Sequence, residues 1–160
     1  MRKIYAGIGS RLTPVEILPK MTSIATMLAM SGWKLRSGHA RGADAAFETG
    51  ACDVPGAPFE IFVALNAENQ PLWFNHARKY HPTWNKLNRE AQQLHARNSA
   101  IMLGRKLDTP VDFVVCWTPQ GKVQGGTGQA LRIAADYSIP VFNLAIDGAE
   151  ADMWKMVAGS

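Results

Sequence analysis

With 160 residues, the chain is long enough for one domain with a sizeable core and too short for two at the usual scale of about 150 residues each. A hydrophobic content of 47% excludes a disordered or low-complexity chain, and a formal charge of +4, from 17 Lys/Arg against 13 Asp/Glu, is too mild to mark a nucleic-acid binder. The two cysteines, Cys52 and Cys116, exclude a multi-bridge scaffold or a four-cysteine zinc site; without a signal-peptide core or an apolar run of about 18 residues, a reducing cytoplasm is expected, with no membrane partner.

Ile4 to Ile8 reads as a buried strand that stops at Gly9-Ser10-Arg11. Thr13-Pro14-Val15-Glu16 carries a helix-start signal, with Thr as N-cap, Pro in the first turn and Glu at the third position. Ile17, Met21, Ile24 and Leu28 continue at helical spacing until Gly32. Trp33 to Arg36 is a short second strand. It runs into Ser37-Gly38-His39-Ala40-Arg41-Gly42-Ala43-Asp44, with a helix expected over Ala45 to Ala51 and a third strand over Phe59 to Leu65.

Periodicity fails across residues 66–82, where Trp73, Phe74, His76, Arg78, Lys79, Tyr80 and His81 crowd a long connection. Such an excursion in a compact domain suggests a functional lid, although an apolar plug on the core accounts equally well for its aromatics. A long helix is predicted from Thr83 to Gly104, with Trp84, Leu87, Ala91, Leu94, Ile101 and Met102 on its buried seam and Asn98 among them. Val111 to Trp117 is a strand apolar enough to be covered on both faces. The Gly-rich stretch Gly121 to Gly128 opens a helix over Gln129 to Tyr137, Pro140 to Ala145 is the fifth strand, and Ala149 to Val157 is a closing helix.

This alternation predicts one α/β domain over 1–160, a Rossmann-like open parallel sheet of about five strands with helices on both faces. In such sheets the ligand crevice lies beyond the carboxyl ends of the strands, where their order reverses. Gly125-Gly126-Thr127-Gly128, between strand and helix, offers unobstructed N–H groups and a positive helix end to a phosphate; a tight turn is the alternative. Gly7-Ile8-Gly9-Ser10-Arg11 begins like a dinucleotide fingerprint but has Leu12 in place of the third glycine. Asp44 suits either a helix N-terminus or a ligand, and His39 either a loop or acid-base work. Asn98 requires hydrogen-bond partners if buried, from a loop or a ligand, and Arg97 stands at the seam's edge. His76 and His81 lack companions at a metal-binding spacing, so neither metal nor other cofactor is expected.

In chain order, Gly9-Ser10-Arg11, SGHARGAD at 37–44, Arg97-Asn98, CWTP at 116–119 and GGTGQALRIA at 125–134 resemble the SLOG superfamily, as it occurs in small standalone members from bacteria and phages. The superfamily includes DNA-processing protein A, which binds single-stranded DNA, the cytokinin-activating phosphoribohydrolases, and nucleotide sensors of antiphage systems. SGHARGAD is similar to the SGxAxGxD element of the first, and Arg97 matches an arginine of the second. The phosphoribohydrolases close their PGGxGTxxE motif with a catalytic Glu; here Gln129 and Arg132 stand at the Thr and Glu positions. A glycosyl cation needs a nearby anion, so an N-glycosidase would have to recruit Asp44 or Glu48, with His39 as a further weak candidate.

The convergence of Gly-rich turns without a recognisable catalytic carboxylate pair points to a nucleotide-binding protein that senses or sequesters its ligand, with single-stranded DNA binding or nucleotide N-glycosidase activity, as in the families it resembles, as the alternatives. The expected ligand contacts are Gly9, Ser10, Arg11, Ser37, Gly38, His39, Arg41, Asp44, Arg97, Asn98, Thr118, Gly125, Gly126, Thr127, Gly128, Gln129 and Arg132. Trp73, Phe74 and Tyr80 are the candidates for base stacking, and a homodimer is implied by resemblance alone. Charge distribution adds to this picture. Arg78, Lys79, Lys86, Arg89, Arg97, Arg105 and Lys106 face only Glu90 in the segment 78–106, leaving the rest of the chain net acidic.

Overall fold

The computed structural model describes residues 2–160. Five strands, β1 (Ile4–Gly7), β2 (Lys34–Ser37), β3 (Phe59–Ile61), β4 (Phe113–Cys116) and β5 (Val141–Asn143), form one sheet in the order β3-β2-β1-β4-β5. Every pairing is parallel: Tyr5 lies opposite Leu35 on one side and Phe113 on the other, and Val115 opposite Phe142. The chain winds outward through α1 (Leu18–Met30) and α2 (Ala43–Cys52) to β3. It then returns through α3 (Pro71–Arg78) and α4 (Arg89–Leu103) to β4, and ends through α5 (Gly125–Asp136), β5 and α6 (Ala149–Ala158). Strand order thus reverses between β1 and β4, and a gap opens at their carboxyl ends.

Both faces of the central strands are apolar because helices cover both. Ile4, Ala6, Val114 and Cys116 point to α3, α4 and α5, whereas Tyr5, Phe113 and Val115 point to α1, α2 and α6. On the second face α1 and α2 lie unusually close. Gly50 presents no side chain to α1, and the hydroxyls of Thr22 and Thr26 donate across the seam to the carbonyls of Ala46 and Gly50, at 3.0 and 3.1 Å.

Several expectations shift, among them the third strand, which ends at Ile61 and gives way to a 3-10 turn over Ala64–Ala67. Helix α1 begins at Leu18, not beside Thr13: the Thr13 hydroxyl donates to the Ser10 carbonyl at 2.5 Å and is unavailable as a cap, and Pro14 to Ile17 form a separate turn. The excursion at 66–82 contains helix α3, entered through Pro71, whose buried residues Trp73, His76 and Ala77 have helical spacing that the polar His76 conceals. Helix α4 starts at Arg89, because a 3-10 turn over Trp84–Lys86 is followed by extended Leu87, and Asn88 Oδ1 accepts the Ala91 N–H at 2.8 Å as the true N-cap. No helix among the described residues is long and apolar enough to cross a membrane.

Candidate functional site at the carboxyl end of the sheet

Beyond β1 and β4 lies a crevice of about 370 Å³, bordered by Ile8 to Arg11, Ala40, Asp44, the α4 face from Ala91 to Asn98, and the start of α5. Each wall has a local cause. Past β1 the chain keeps pairing with β4, as Ile8 and Ser10 donate to the carbonyls of Val115 and Trp117 at 3.1 and 3.0 Å, which fixes Ser10 and exposed Arg11 at the rim. Gly9 lets α2 approach, since a Cβ there would lie 2.5 Å from that of Ala43. Past β2, Ser37 is spent inside the fold, donating to the Gly7 carbonyl at 2.6 Å.

Arg97 organises the floor. Its guanidinium, almost fully buried, donates to the carbonyls of Gly38 and Phe62 and, through Nε, to Asn98 Oδ1 at 3.1 Å. Gly38 is required there, because a Cβ would overlap the guanidinium. Asn98 carries the chain of contacts to α5: its Nδ2 donates to the Gly126 carbonyl at 3.2 Å and to Gln129 Oε1 at 3.1 Å. The Asn98 amide therefore ties elements together.

Among the described residues Asp44 is the only carboxylate bordering the crevice, and its Oδ2 accepts the Ala40 N–H at 3.2 Å. Burial pushes its carboxyl up to about 6, against the opposing pull of Arg97 and the N–H groups of Ala40 and Gly38, with Glu48 adding to the rise. The folded value thus lies above the unfolded one. Its contribution to stability is full below the ordinary carboxylate value and is lost as pH rises through about 6. Asp44→Asn, which mimics the neutral acid, should raise the melting temperature at pH 8 and leave it nearly unchanged at pH 4. The gap between 3.8 and about 6 sets an upper bound of about 3 kcal/mol on the gain at pH 8. A gain of equal size at both pH values would refute the assignment.

The start of α5 forms the remaining wall. Gln124 precedes it in extended conformation, no side chain caps it, and Gly125 adopts φ +68°, a value that favours glycine. The helix begins at Gly125, four residues earlier than periodicity suggests, so the glycines form its first turn and their N–H groups belong to its positive end. A Cβ on Gly125 or Gly126 would meet nothing within 4 Å. Thr127 also borders the crevice, while Gly128 and Gln129 are buried one step further along.

Other expected contacts lie elsewhere. His39, at φ +63°, turns its exposed ring away to Glu48, with Nδ1 2.8 Å from Oε2, and that hydrogen bond and charge raise its pKa. Neither His39, Glu48 nor exposed Arg41 borders the crevice. Buried Thr118 accepts from Asn143 Nδ2 at 2.6 Å, joining the ends of β4 and β5. Arg132 donates to the Tyr80 carbonyl at 3.3 Å and faces a separate groove with Lys79 and Asp136.

The three stacking candidates also lie away from the crevice. Trp73 is fully buried, edge-on to Phe62, and its Nε1 donates to the Arg105 carbonyl at 2.8 Å. Phe74 packs on Trp84 and lies under the Arg89 guanidinium, 4.2 Å from the ring centre, while the Tyr80 hydroxyl donates to Asp136 at 2.5 Å. None of them borders the crevice, so the excursion acts as the plug that caps α4. His95 does border it, one turn before Asn98 on the seam; its spacing was visible in the sequence, but the polar ring hid its burial. No protein-family model, curated protein or solved structure matches the chain.

Proposed function

We propose that the protein binds a nucleotide or nucleotide-derived small molecule, to sense or sequester it, with its phosphate on the α5 N-terminus. One observation carries this reading: an uncapped helix start, with open space over Gly125 and Gly126, faces a crevice of about 370 Å³ that has Arg11 at its rim. Backbone N–H groups and the helix end supply the attraction for an anion, and the volume falls in the range of small-molecule sites. Membership of the SLOG superfamily, proposed from the motif order, is consistent with this placement.

Calorimetric titration with nucleoside monophosphates, ADP-ribose and cyclic nucleotides tests the reading. Gly126→Asp is the informative variant, because a Cβ there meets nothing within 4 Å and the carboxylate it carries puts a negative charge where the phosphate would sit. Affinity should fall by about tenfold or more while the melting temperature holds or rises, as an acidic residue suits a helix N-terminus. Unchanged affinity in Gly126→Asp would exclude this phosphate site. Absence of nucleotide binding together with salt-sensitive binding to a long oligonucleotide would favour the DNA reading instead.

A second reading rests on Asp44. A buried carboxyl with its pKa raised to about 6, alone on the crevice wall, has the placement an N-glycosidase requires to support a developing glycosyl cation. Release of free base from a nucleotide, abolished in Asp44→Asn, would establish it.

A further inference from the structure

His95 is more than nine-tenths buried and borders the crevice. Its Nδ1 is sealed from solvent without a partner, and so is Nε2 of the Gln129 amide, which is the ring's polar neighbour on α5. Buried polar atoms left unpaired are rare enough to require an explanation. The two orphans are complementary. Gln129 Oε1 already accepts from Asn98, which fixes the amide's orientation and leaves its Nε2–H as a donor toward His95.

We infer that His95 is the specificity-determining residue of the crevice, a neutral imidazole whose Nδ1 is committed to the Gln129 amide and whose Nε2–H reads an acceptor atom on the ligand's heteroaromatic base. This inference rests on the nucleotide reading above and moves the base from the aromatic excursion to the α4 wall. Ile8, Ala91, Leu94 and Ala130 supply apolar lining to the same crevice that His95 and the α5 glycines border.

The surroundings keep the ring neutral. Burial is the main cause, assisted by the nearby His81, Arg132 and Arg97, and together they push its pKa down to about 4. His81 precedes α4 with its ring centre 4.7 Å away, Arg97 shares α4, and Arg132 and Gln129 come from α5. A neutral imidazole has one proton, so an acceptor role for Nδ1 places that proton on Nε2.

Two measurements test this. Nitrogen-15 NMR of the full-length protein at pH 7 should show His95 neutral with its proton on Nε2, and Gln129→Leu should shift the tautomer balance. Titrations should compare ribose 5-phosphate with the 5′-monophosphates of adenosine, guanosine, cytidine and uridine. In His95→Ala the tightest nucleotide should weaken by about tenfold, while ribose 5-phosphate stays within about twofold of wild type. Equal weakening of ribose 5-phosphate and nucleotides, or a proton on Nδ1, would overturn the assignment. Wild type that binds ribose 5-phosphate but gains nothing from any base overturns it while leaving the phosphate site standing; wild type that binds none of these probes overturns both readings.

Discussion

Replacing Arg97 with Met should cost about 3–5 kcal/mol, the loss expected when one partner of a buried charged cluster is removed. The guanidinium satisfies the carbonyls of Gly38 and Phe62 and is the positive charge that opposes burial at Asp44. Met fills much of the volume but donates nothing, so two carbonyls lose a donor and the Asp44 carboxylate loses its offset. The Asp44 pKa should therefore climb above its wild-type value of about 6. Because a raised folded value costs stability once the group ionises, denaturant midpoints should fall further at pH 8 than at pH 5. Adding Asp44→Asn should recover part of the loss at pH 8. A double variant no more stable than Arg97→Met would show that the two charges are not coupled.

Gly50→Ala should destabilise the protein by forcing two helices apart. A Cβ there would sit 2.2 Å from the Thr22 carbonyl oxygen and 2.8 Å from the Ala25 Cβ, and the first of these is helix backbone that cannot rotate aside. Helices α1 and α2 must separate, which weakens the two threonine bonds across the seam and loosens packing around Met21, Ile24 and Phe47. Overpacking costs about 1–3 kcal/mol, while the better helix propensity of Ala returns up to about 1 kcal/mol. The net loss, about 1–2 kcal/mol, corresponds to roughly 2–8 °C in melting temperature for a chain of this size. Gly126→Ala serves as the control, since a Cβ at that position touches nothing. Equal melting temperatures for the two variants would contradict the close-approach argument.

The layered fold was legible because its signals are local. Two-sided apolar strands such as Phe113–Cys116, alternating with amphipathic segments such as Leu18–Met30, leave few arrangements besides a parallel sheet covered on both faces. Boundaries were less legible where a residue had two possible uses. Thr13 is a good cap in isolation but bonds the Ser10 carbonyl, and Pro71 opens a helix inside a stretch whose polar residues mask its buried stripe.

For the candidate site, the sequence located the glycines of α5, the Ser10-Arg11 turn, Asp44 and the Arg97-Asn98 pair, and these do converge on one crevice. Glycine and charge beside a strand end are visible in one dimension because the backbone conformation they permit is local. What surrounds a side chain is not local. Arg132 and the aromatics of the excursion carry suitable chemistry, yet their partners, Tyr80, Phe62, Trp84 and Asp136, come from other elements and turn them away from the crevice. His95 shows the reverse. Its seam spacing was visible but its burial was not, since that arises when α4 and α5 meet and seal two polar atoms without partners. Composition and periodicity thus determined the layers and the end of the sheet where chemistry would gather. Only the packing of helices against that sheet decided which polar groups face the crevice, because desolvation and hydrogen-bond supply depend on residues far apart in the chain.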